Sequence, residues 1–198
     1  MNSIPLTPGQ LAVTALIVVV LIVGGALGYR HWRRADARRK RMQHLAAAAF
    51  DLVQDVLVPD GNEGHLHVDY LLLTAAGLVV VDLRDVPGMI FGSESMDEWT
   101  AMDGVYRHTF PNPLGPLYDR MAAVKLLAGR TPVDGRVVFS SRGSFPKGRP
   151  PRVTLLGSLS DEFGLADRKL EPSPAAGWSN DWATVKAALA PSPHGRKG

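Results

Sequence analysis

The chain has no cysteine. That excludes a disulfide framework and a thiolate zinc site, and it suits a reducing compartment. Two further absences weigh more. Met1 to Gln10 contains no Lys or Arg, so the basic start of a cleaved secretory signal is missing. From Leu11 to Gly28 there is no charge, and Thr14 is the one polar side chain. There is no Walker-type phosphate loop, no Gly-x-Ser-x-Gly and no readable Ser/His/Asp arrangement, which removes the commonest nucleotide-hydrolysing and serine-hydrolase classes.

The uncharged run is the strongest positive signal. Eighteen residues at about 1.5 Å each reach roughly 27 Å, close to the hydrocarbon thickness of a bilayer. Its far flank holds Arg30, Arg33, Arg34, Arg38, Arg39, Lys40 and Arg41 against Asp36. The positive-inside rule keeps such a flank in the cytoplasm. The sequence thus predicts a short outer leader over 1–10 and one transmembrane helix over 11–28. A basic juxtamembrane helix over 29–44 follows, then a domain over 45–190 and a disordered tail over 191–198. The protein is expected in the cell (inner) membrane, single-pass, N-terminus out and domain in the cytoplasm. Gly24 and Gly28 form a G-x-x-x-G, a helix-pairing spacing that also recurs by chance.

The net charge of +3 conceals a division. Seven of the 22 basic residues and one of the 19 acidic ones lie in the flank, leaving 15 against 18, a net of −3. Without Arg196 and Lys197 the remainder carries −5. Nonspecific nucleic-acid binders draw their affinity from neutralised phosphates, and this domain has no cationic excess. Nucleic acid is therefore a partner that the domain charge does not support. The basic stripe suits topology and contact with anionic headgroups, and no protein partner is legible.

Along the domain, Gln54 to Pro59 reads as a short strand. Leu66 to Leu73 and Leu78 to Arg84 read as strands joined through Thr74-Ala75-Ala76-Gly77 in a hairpin. Met89 to Phe91 and Gly104 to Thr109 are weaker strand candidates, with Trp99 between them. Leu117, Met121, Val124 and Leu127 recur at helical spacing, with Gly129 as a stop. Arg136 to Phe139 and Val153 to Leu156 read as strands, with a Gly/Pro loop from Gly143 to Pro151 between them. Ser173 to Trp178 is a Pro- and Gly-containing connection, and Asn180 is placed to cap a last helix through Leu189. Mixed strands and helices predict an α/β or α+β fold with a mixed sheet.

The hairpin concentrates the polar groups. With a two-residue turn, paired positions sum to 151, so Asp69 falls opposite Asp82 and His67 opposite Arg84. All four side chains then share one face. Like charges opposite each other on a sheet are destabilising. A divalent cation would offset the cost, carboxylates being natural ligands of Mg²⁺ and Mn²⁺. Arg84 bridging the two carboxylates would do so without metal.

His67-Val68-Asp69-Tyr70, the strand, the Gly77 turn and Val81-Asp82-Leu83-Arg84 together resemble the central motif of the nuclease-related domain, or NERD, family. That family belongs to the restriction-endonuclease-like, PD-(D/E)xK superfamily. Val56 to Pro59 before the motif, and Trp99 and Asn112-Pro113-Leu114 after it, fit the same pattern, so the resemblance covers about residues 45 to 130. It implies a restriction-endonuclease-like core behind the N-terminal helix, with Asp69, Asp82 and Arg84 in the catalytic positions. Asp69 and Asp82 would hold Mg²⁺ or Mn²⁺, and the metal would activate water. The chain departs from the pattern at Arg84, where the family has Lys, and Arg is a poor proton relay. It departs also at Asp82 (Glu), near His67 (Gln), at Pro116 (Gln), and in lacking Gly-Glu among Arg38 to Gln43. These departures predict a degenerate nuclease, inactive or weak, acting as a tethered binding module. A Mg²⁺-dependent phosphodiesterase acting on DNA or RNA is one alternative. A protein-interaction scaffold without a nucleic-acid role is the other.

The remaining features have plainer readings. His65 and His67 with Asp69 share a face in the manner of a transition-metal site, but half-exposed strand histidines are the default. Trp99, Trp178 and Trp182 suit packing. Arg142, Lys147, Arg149 and Arg152 form the one basic patch of the domain and suit a solvated loop, unless they gather near Asp69.

Overall fold

The computed structural model describes residues 8–163 and 177–193, with side chains from Val20 onward. The chain divides into two compact units, Met1–Met42 and Gln43–Gly198. The first is the greater part of α1 (Pro8–Ala48), a 41-residue helix. Pro8 stands at its first position, where a missing N–H costs nothing, and no other proline follows within it. Val20, Leu21, Ile22, Val23 and Leu27 stand exposed, and Lys40 pairs with Asp36 one turn away at 2.9 Å.

Among the described residues no helix is long and apolar enough to cross a membrane. Residues 11–19 of the uncharged run lie outside those whose side chains are described, and 1–7 of the leader lie outside the described residues altogether.

The second unit is built on a six-stranded mixed sheet. β1 (Asp51–Pro59), β2 (His65–Thr74) and β3 (Gly77–Arg84) form an antiparallel meander. β7 (Val133–Phe139) and β9 (Val153–Leu155) continue from β3 in parallel, and β10 (Ala190–Pro191) closes the other edge on β1. A smaller sheet holds β4 (Gly88–Phe91), β5 (Glu98–Asp103), β6 (Tyr106–Pro111) and β8 (Gly143–Ser144), in the order β6-β5-β4-β8.

Both faces of the large sheet are covered, as its near-continuous hydrophobic strands require. Leu72, Val79, Val81 and Val138 point one way, against Leu45 and Ala48 at the end of α1, Ala49 just after it, and Leu159 and Phe163 of α3 (Leu159–Phe163). Leu71, Leu73, Leu78, Val80, Val137 and Phe139 point the other way. There they join Leu117 and Val124 of α2 (Leu114–Leu127) and Trp182 and Val185 of α4 (Ser179–Ala188). Trp99 is fully buried, stacked on Phe139 at 6.2 Å between ring centroids. Gly92 lies so close beneath its indole that a Cβ there would come within 2.2 Å of Trp99 Cδ2.

The main strands, α2 and the Gly129 stop lie where the sequence puts them, with Gly129 at φ +55°. One strand is added to these and three readings are corrected. β5 is a full strand that the sequence does not announce. Glu, Ala, Met and Asp favour strands poorly, and β5 exists because Trp99 and Ala101 alternate into the core. Gly104, expected to open a strand, makes the β5–β6 turn at φ +62°. Asn180 does not cap α4. The helix starts at Ser179 after Trp178, without a side-chain cap bond, and Asp181 in its first turn is tied to Thr131. At the far end, Pro191, the first residue of the expected tail, is paired with Val56. Residues 164–176 and 194–198, which take in most of the Ser173–Trp178 connection and the end of the tail, lie outside the described residues.

Candidate active site

The β2–β3 turn sets the geometry. Thr74 pairs with Gly77, as the sum of 151 requires. The Thr74 hydroxyl donates to the Gly77 carbonyl at 2.9 Å and accepts from the Ala76 amide at 3.2 Å. Gly77 has φ +118°, and a Cβ there would come within 2.4 Å of the Pro132 carbonyl oxygen. The position therefore demands glycine on conformation and on space.

The ladder runs in this register only as far as Tyr70↔Val81. Beyond it the strands part: β2 stays with β1, and β3 stays with β7. Asp69 and Asp82 are therefore not a rung, and neither are His67 and Arg84; this corrects the expected pairing while preserving its register. At the fork, Asp69 Oδ2 accepts the Leu83 amide at 2.8 Å. A carboxylate thus satisfies an N–H that the ladder no longer serves.

A second irregularity faces the fork. In β1 the pairing with β2 lapses at Asp55, which has φ +56°, and resumes unshifted at Val56↔Val68. Residues on the α2 side run through Val53 before the break and Val56 and Val58 after it, so the alternation changes phase. This places Asp55 Oδ1 2.7 Å from His67 Nε2, while His67 Nδ1 lies 3.5 Å from Asp69 Oδ1.

Asp82 is in a different environment. It is 4% exposed, and its Oδ2 accepts from Arg84 Nη2 at 2.8 Å and from Arg120 Nη1 at 3.2 Å. Arg120, on α2, also donates through Nε to the His67 carbonyl at 2.6 Å, which ties the helix to β2. Arg84 Nε is buried without an acceptor among the described residues. The Asp69 carboxyl lies above the usual carboxylate range. Burial is the main cause and the Asp82 charge adds to it, while the Leu83 amide, His67 and Arg120 pull the other way.

The structure therefore brings Asp69, Asp82, Arg84 and His67 together at one fork. Sequence reasoning missed Arg120 and Asp55. Arg120 had a legible signal: it lies three residues after Leu117 and four before Val124, on the buried stripe of α2, where a charge requires a partner. Asp55 had none, because its role comes from a backbone irregularity.

These residues fit a divalent cation poorly. The donor set is two carboxylates, and two guanidinium groups already share an oxygen of the buried one. Among the described residues no group of three or more His, Asp or Glu side chains is arranged to hold a metal ion, which covers the His65, His67 and Asp69 set as well.

The basic loop after β7 starts beside the fork, with the Ser140 amide donating to the Arg84 carbonyl at 2.9 Å. Two of its four cations, Arg142 and Arg152, meet carboxylates. Arg142 pairs with Asp85 at 3.1 Å, Arg152 with Asp134, and Lys147 lies over Phe91. Asn112 donates to the carbonyls of Ser93, Glu94 and Met96 and accepts from the Leu114 amide. It so ties the β4–β5 loop to the start of α2. The sequence profile of the nuclease-related domain family, NERD, matches residues 29–140. The chain belongs to that family. No curated protein and no solved structure matches the chain.

Proposed function

We propose that this protein is a membrane-tethered nuclease-related domain that does not hydrolyse phosphodiesters and acts as a binding module. The observation that carries the reading is the shared oxygen of Asp82, held by Arg84 and Arg120. A metal-dependent nuclease needs that carboxylate free to ligate a cation. Here the carboxylate is buried and twice paired.

Support for tethering comes from α1. An uncharged run over 11–28 precedes a flank of seven basic residues on the same helix. In that run Val20, Leu21, Ile22, Val23 and Leu27 stand exposed, an arrangement that water penalises and a bilayer does not. The flank orients the domain to the cytoplasmic side of the cell membrane.

The test is incubation of the full chain, in mild detergent, with labelled single- and double-stranded DNA and RNA and Mg²⁺ or Mn²⁺, beside Asp69→Ala. The expected result is no cleavage by either protein. Metal-dependent cleavage lost in Asp69→Ala would overturn the reading and make the protein a phosphodiesterase.

A further inference from the structure

We propose that β6 is the interface for a second copy of this chain, the two strands pairing antiparallel about a two-fold axis through His108. The proposal does not depend on the chemistry of the fork.

Among the described residues the two sheets end on β10, β9, β8 and β6. β10 and β8 are two residues long and β9 is three, too short to template another strand. β6 has six residues, and only Phe110 among them is half-buried, the others being exposed. The phase of its backbone follows from its two ends. The Gly104-Val105 turn closes on the pair Asp103↔Tyr106, and the Asn112 amide donates to the Asp97 carbonyl at 2.8 Å. The even-numbered residues of β6 thus turn their N–H and C=O groups toward β5, and those of Arg107 and Thr109 face outward.

That phase selects the partner. In a self-paired ladder outward groups must meet outward groups, so the axis passes through a residue of the strand. An axis through Arg107 sets that residue against its own copy, like charge on like charge. An axis through Thr109 sets Arg107 against Pro111 of the second copy, which has no N–H to donate. The axis through His108 sets Arg107 against Thr109 of the second copy, and every outward N–H of the two residues then finds a carbonyl. The same register lays Tyr106, 77% exposed, against Phe110 of the second copy, an aromatic cross-strand pair. A surface that complements itself in one register is what a two-fold dimer requires. Two six-residue strands bury less than the roughly 1,200 Å² of a stable complex, so the pair forms reversibly and is best trapped covalently.

The chain has no cysteine, so one introduced thiol reports one position. The test is oxidative cross-linking of the full chain in mild detergent, His108→Cys beside Val105→Cys. The two copies of position 108 would form a non-hydrogen-bonded pair with Cα atoms about 4.5 Å apart, within disulfide reach. Val105 is 93% exposed, but its two copies lie three residues either side of the axis, roughly 20 Å apart. Expected is a disulfide dimer from His108→Cys and none from Val105→Cys, the reverse of what random collision gives. In the His108→Cys background, Thr109→Glu faces Arg107 of the second copy and raises the cross-linked fraction, whereas Thr109→Lys lowers it. No dimer from folded His108→Cys, as much dimer from Val105→Cys, or equal yields from the two Thr109 variants would each overturn the proposal. If His108→Cys does not fold, light scattering of the cysteine-free chain over a concentration series replaces it. Self-association weakened by Thr109→Lys and strengthened by Thr109→Glu then supports the interface, and any other result overturns it.

Discussion

Arg120 Nη1 lies 3.2 Å from Asp82 Oδ2, across 38 residues of sequence. This contact joins α2 to the middle of the large sheet and gives the buried carboxylate a second cation beside Arg84. It changes what removal of either arginine should do.

Arg84→Ala alone should cost little, about 1 kcal/mol, because Arg120 still faces Asp82. The double variant Arg84→Ala/Arg120→Ala leaves a buried carboxylate uncompensated and should cost roughly 3–5 kcal/mol. Urea melts of both single variants and the double one form the check. Additive losses would mean that the two arginines do not share Asp82.

Asp69→Asn should stabilise the domain at neutral pH. The folded carboxyl titrates above its unfolded value, so its ionisation opposes folding once pH rises through the unfolded and then the folded pKa. Asparagine keeps an acceptor for the Leu83 amide and removes the cost of burying a charge, to which the Asp82 charge adds. The gain should be measurable at pH 7 and should fade as pH falls toward the unfolded value. Thermal melts from pH 3.5 to 8 measure it, and an unchanged melting temperature at pH 7 would count against that cost.

Asp51 behaves oppositely. Burial raises its pKa, but bonds from Trp182 Nε1 at 2.8 Å, Lys186 Nζ at 2.9 Å and the Leu52 amide outweigh it, so the carboxyl lies below its ordinary range. Its stabilisation is present above the unfolded pKa of about 3.9 and is lost as pH falls through the folded value. Asp51→Asn should therefore lower stability at pH 7 and have progressively less effect in acid. Equal losses at pH 7 and pH 2.5 would show that packing, not charge, matters there.

Gly77→Ala should destabilise by more than about 2 kcal/mol, since it combines a disfavoured φ with a clash on the Pro132 carbonyl. Gly104→Ala, at φ +62° but with open space around it, should cost about 1 kcal/mol. Similar losses for the two would mean that the backbone dihedral alone sets the cost.

Much of the site was legible because β-hairpins obey local rules. The Thr74–Gly77 turn fixes the register, and the register puts Asp69 and Asp82 at the same level. The sequence did not reveal that the ladder would stop one rung short. That depends on β7 drawing β3 away and on β1 retaining β2, contacts made by residues far along the chain. Trp99 was legible as a packing residue, but its strand was not, since β5 owes its conformation to the core beneath it.

By itself the sequence determined the uncharged run and its basic flank, the mixed α/β class, the hairpin register and the family pattern around Asp69 and Asp82. These follow from local composition, turn chemistry and side-chain alternation, which act over a few residues. Only the tertiary structure decided which charge answers which. It brought Arg120 to Asp82, Asp55 to His67 and the Leu83 amide to Asp69. Each pairing depends on where separate elements pack, and for Asp82 burial then makes a partner obligatory.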